Sequence, residues 1–75
     1  TAATIDVAAE RRRLEKDLAT AQADVTAAER KLSTPSFVER APAAVVATNR
    51  DRLAAAEAEI TRLQERLASL PATGQ

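Results

Sequence analysis

The sequence predicts an all-α fold: an antiparallel two-helix coiled-coil hairpin with a short helical turn at its tip. Three observations predict it. Apolar residues recur in steps of three and four on both sides of the chain's midpoint. Two of the three prolines, Pro35 and Pro42, interrupt that pattern near the middle. The chain is 45% hydrophobic, yet much of this is alanine, with one Phe and no Trp, Tyr or Met. A chain of 75 residues with so few large side chains cannot fill a thick globule, so an elongated helical shape is expected.

The first five residues are expected to be a flexible end, and TAATID has the look of a cut within a longer protein. The hairpin is expected over residues 6–70. Its first helix, 6–33, begins at Asp6, an N-cap that puts a carboxylate at the positive end of the helix. Val7, Leu14, Ala21 and Ala28 recur every seven residues, and Arg11, Leu18, Val25 and Leu32 interleave with them. Pro35 cannot continue a helix interior, so this helix ends near Ser33.

The tip, 34–41, contains PSFVERA, which reads as one helical turn. Phe37 and Val38 are expected to cover the exposed ends of Leu32, Val45 and Val46. Pro42 suits the first turn of the second helix, 42–70, where its missing N–H costs nothing. There the seam restarts as Val46, Asn49, Leu53, Ala56, Ile60, Leu63, Leu67 and Leu70. Pro71 and Gly74 close it, leaving 71–75 as a tail.

A break this short forces the helices antiparallel. One register faces Ala28 with Leu53, Val25 with Ala56, Ala21 with Ile60, Leu18 with Leu63 and Leu14 with Leu67. Small then meets large along the seam, as it also does one heptad away. In this register Arg11 lies opposite Leu70 and can reach water at the open end. Asn49 lies opposite Leu32, where a polar seam residue sets register at a cost in stability. Lys31 and Arg52 share one flank, a like-charge contact that folding alone does not favour.

Charge and composition exclude several functions. Eleven basic residues balance eleven acidic ones, which argues against bulk polyanion binding. Distribution matters more. Between residues 30 and 52, Arg30, Lys31, Arg40, Arg50 and Arg52 stand against Glu39 and Asp51, a net +3. There is no Cys or His, hence no disulfide framework and no usual zinc pattern. Ser33, Ser36 and Ser69 have no His to activate them. A single Gly cannot build a phosphate-cradling loop. Glu15, Asp17, Glu57 and Glu59 sit among basic neighbours and read as solubilising. No catalytic residue, metal site or cofactor is therefore expected within this stretch. No apolar run approaches a membrane span. LPATG, 70–74, matches the short motif that sortases cleave, but no apolar anchor or basic tail follows it, and it reads as a helix stop.

The stretches IDVAAERRRLEKDL, KLSTPSFVERAPAAVV and RDRLAAAEAEITRLQERLASL together resemble the C-terminal coiled-coil arm of valyl-tRNA synthetase. The tip carries most of the likeness: KLS, a helix break, FV, then RAP and an apolar pair. The resemblance spans about residues 5–70 and implies tRNA binding, with the arm touching the outer corner of tRNA where the D and T loops meet. It implies a cytoplasmic parent enzyme, a valine–tRNA ligase, whose catalytic, ATP-binding and anticodon-binding domains lie elsewhere. Lys and Arg supply phosphate contacts, so Arg30, Lys31, Arg40, Arg50 and Arg52 are the candidate tRNA-binding residues. Phe37 is read first as a cap on the hairpin and second as a stacking surface for a base. Arg11, Arg12, Arg13 and Lys16, offset by Glu10, Glu15 and Asp17, read as ordinary surface.

Two other readings stay open on residue pattern alone. ATP-binding-cassette ribosome factors carry a C-terminal RNA-contacting coiled coil, although their tips are often Asp- and Tyr-containing. A protein–protein hairpin is the other, with two copies pairing into a four-helix bundle over the thin outside of the seam.

Overall fold

A computed structural model describes residues 6–71. The expectations for the first five residues, for Gly74 and for most of LPATG lie outside that range. Three helices follow in order: α1 (Val7–Leu32), α2 (Pro35–Arg40) and α3 (Ala43–Ser69). The two long helices pack along one another and α2 packs against α1, which is the expected antiparallel hairpin with a helical turn at its tip. At a rise of about 1.5 Å per residue each long helix extends roughly 40 Å.

Asp6 caps α1: its Oδ1 accepts from the Ala9 N–H at 3.1 Å. At the other end the last carbonyls of α1 are taken up locally. The Ser33 N–H bonds Glu29 O (2.9 Å) and the Thr34 N–H bonds Lys31 O (3.2 Å). The Thr34 hydroxyl donates to Arg30 O at 2.8 Å. Thr34 stands at the N-cap of α2 but gives that helix no side-chain bond, because its hydroxyl is committed to the end of α1. Pro35 then opens α2, where no N–H is needed. Pro42 differs from expectation by one position. It is the N-cap of α3, with φ −56° and ψ 147°, and its carbonyl accepts from the Val46 N–H at 3.2 Å. Its ring brings no N–H of its own to the helix start, and no side chain caps α3.

The seam residues face inward. Leu14, Ala21, Ala28, Val46, Ala56 and Leu63 are buried, and so is Asn49. Leu14, Ala21 and Leu63 form one cluster, with Leu18, Ile60, Leu67 and Leu70 packed against it. These are the residues that the register facing Leu14 with Leu67 and Leu18 with Leu63 brings together. Arg11 is half-buried and its Nε is buried with no hydrogen-bond partner. The expected reach to water is thus incomplete, since part of the guanidinium is held out of solvent.

One expectation about the tip needs correction. Phe37 and Val38 are half-buried, but Val45 stays 41% exposed while Val46 is 7% exposed. Adjacent helical residues point about 100° apart, so one short turn covers one of the pair. Asn49 does not reach across the seam. Its amide donates to Val45 O of its own helix at 2.9 Å.

Candidate nucleic-acid interface

The helix geometry gathers the five candidate cations around one end of the hairpin. Arg30 and Lys31 lie in the last turn of α1, and Arg40 ends α2. All three suit the negative end of a helix dipole, so part of their presence is explained by helix stability. Arg50 and Arg52 have no such reason, since they sit in the first half of α3. All five are exposed. Among the described residues none of the five joins an ion pair; the pairs found involve Arg13, Arg62 and Arg66.

The shaft is mixed: Arg11, Arg12 and Lys16 join no ion pair among the described residues, whereas its other three cations do. Arg13 pairs with Glu10 and, at 3.8 Å, with Asp17, and Arg62 pairs with Glu59. Arg66 of α3 reaches Glu10 of α1 at 3.4 Å. The hydrogen bond from Arg13, then the charges of Arg13 and Arg66, hold the Glu10 carboxyl below its ordinary pKa against the opposing effect of desolvation. The basic run at 11–16 is thus partly neutralised, in keeping with its reading as surface.

Lys31 and Arg52 line the same groove. This shallow channel of about 490 Å³ runs along one flank, with Ala27, Ala28, Ala55 and Ala56 among its lining residues. Arg30, Arg40 and Arg50 do not line it. Asp24 and Glu59 do, and Glu59 is half-buried rather than a freely solvated surface group. The sequence carried a signal for this arrangement. Asp24 precedes Lys31 by one heptad and Arg52 precedes Glu59 by one heptad, so in an antiparallel pair the four must share a flank. Phe37 is half-buried. Among the described residues no group of acidic side chains is placed to hold a metal ion, and no helix is long and apolar enough to cross a membrane.

The fold and the charge layout define an elongated coiled-coil arm that carries five unpaired cations toward its tip. The chain belongs to the family of valyl tRNA synthetase tRNA binding arms, whose pattern matches residues 6–71. It is 51% identical over 70 residues to the valine–tRNA ligase of Mycobacterium tuberculosis, covering 93% of this chain and 8% of that protein. The valine–tRNA ligases of Corynebacterium jeikeium (48% over 71 residues, 95% of this chain) and Nocardia farcinica (46% over 72 residues, 96%) are similar over the same small share, 8%, of their own lengths. The chain therefore spans under a tenth of the curated relatives it matches. No solved structure matches it significantly.

Proposed function

We propose that this arm gives a valine–tRNA ligase a second, sequence-independent grip on tRNA, at the outer corner where the D and T loops meet. Arg30, Lys31, Arg40, Arg50 and Arg52 take the phosphate contacts. Valine activation with ATP, transfer and anticodon recognition belong to other domains of the parent enzyme. The observation that carries this reading is that none of the five tip cations joins an ion pair among the described residues, with Lys31 and Arg52 of different helices on one groove. Of the six shaft cations, Arg13, Arg62 and Arg66 have carboxylate partners. Free guanidinium and ammonium groups are the ones able to displace counterions from a phosphate backbone. The arm's contribution to aminoacylation is effective concentration: a weak contact counts once the enzyme holds tRNA elsewhere.

The test replaces the five cations with Ala in the full-length enzyme and titrates tRNA over a range of salt. Affinity should fall, and the slope of log affinity against log salt should flatten by about 0.7–0.9 for each phosphate that is no longer neutralised. Valine activation measured without tRNA should not change. Unaltered affinity and slope would overturn the electrostatic grip.

A further inference from the structure

We infer that the tRNA backbone lies on the flank bearing Lys31 and Arg52, and that Asp24 with Glu59 ends the contact one heptad down the shaft. This deepens the proposed function and rests on it. Four side chains carry the argument. Lys31 and Arg52 come from different helices yet line one groove, and neither has an ion-pair partner among the described residues. Two like charges held on one flank repel, and an anion lying between them relieves that repulsion. A phosphodiester backbone offers such anions in series. The groove between them is lined by alanines, so no large side chain bars a ribose-phosphate strand from approaching.

The same groove then changes sign. Asp24 and Glu59 line it one heptad nearer the base, about 10 Å along the helix axes. That spacing is close to the Debye length of about 8 Å at physiological salt, so a phosphate continuing past Lys31 and Arg52 would meet negative potential. Glu59 shares its charge with Arg62; Asp24 has no ion-pair partner among the described residues and is exposed. Asp24 is therefore the stronger half of the stop. Such a boundary confines RNA to the last turns of the hairpin and keeps the shaft from sliding along unrelated nucleic acid.

The opposite flank supplies the control. Glu57 is exposed and does not line the groove, and the seam register puts it at about the height of Asp24. In the full-length enzyme, Asp24→Lys should tighten binding of an unrelated RNA duplex about threefold and steepen its salt slope by roughly the increment of one phosphate. Glu57→Lys, with the same charge change, should leave both unchanged. The double variant Lys31→Ala/Arg52→Ala should weaken tRNA binding more than Arg30→Ala/Arg50→Ala. Equal effects of the two Lys variants, or no effect of Asp24→Lys, would overturn the stop. Equal weakening by the two Ala pairs would overturn the flank while leaving the grip standing. No weakening by either pair would remove the grip itself.

Discussion

The base half and the tip half of the hairpin share one seam but are built differently. Toward the base, Leu14, Leu18, Ile60, Leu63, Leu67 and Leu70 gather around one core, and Glu10 ties α1 to α3 through Arg66. Toward the tip the buried seam contains Ala28, Val46, Asn49 and Ala56, and the cations there are left unpaired. Leucine buries much more apolar surface than alanine, and buried apolar area is the main stabilising term. The base is thus where the arm's stability concentrates. The tip trades core volume and ion pairing for a narrow, charged surface that can meet an anion.

The comparison can be broken most directly in the core. Leu63→Ala should cost about 2–4 kcal/mol, the range for emptying a buried leucine site, read as a lower Tm in thermal unfolding of the arm. Removing the five tip cations should lower that Tm less, because only Arg30, Lys31 and Arg40 sit at helix ends, while weakening tRNA binding. A similar loss of stability from both changes would erase the division between a stabilising base and a binding tip.

A smaller effect is expected at Asn49, which is 6% exposed and bonds only its own helix. Asn49→Leu should raise stability by about 1 kcal/mol, because a buried amide gives way to apolar packing. A loss of stability would mean that the amide serves the seam in a way its bond to Val45 does not reveal.

The smallest effect is expected at Glu10, whose side chain is 20% exposed. Its folded pKa lies below the ordinary value, so its contribution is complete above the unfolded carboxylate pKa. That contribution fades as pH falls through the lowered folded value. Glu10→Gln should therefore lower Tm slightly at neutral pH, and the gap from the parent chain should close in acid. A gap that persists at low pH would show that packing of the side chain, rather than its charge, ties the two helices.

Much of the fold was legible from residue spacing. Each seam position read as a heptad residue is buried or half-buried, since 3.6-residue periodicity is a property of one helix and needs no partner to be seen. The Asp6 cap and the proline breaks were legible for the same local reason. The tip cations could be grouped once the chain was known to double back. Their freedom from ion pairs within a helix is also in the sequence, since none of the five has a carboxylate three or four residues away. Only the tertiary structure shows that no carboxylate of the other helix reaches them among the described residues.

What the sequence by itself determined is the hairpin, its seam and its reversal near residues 33–42. Those follow from local periodicity and from backbone rules that act within one turn. Only the tertiary structure decided that Arg66 reaches Glu10 and that Arg11 Nε is buried without a partner. Each of those depends on how far one helix is rotated and shifted against the other, and the packing of unequal side chains along the whole seam sets that rotation.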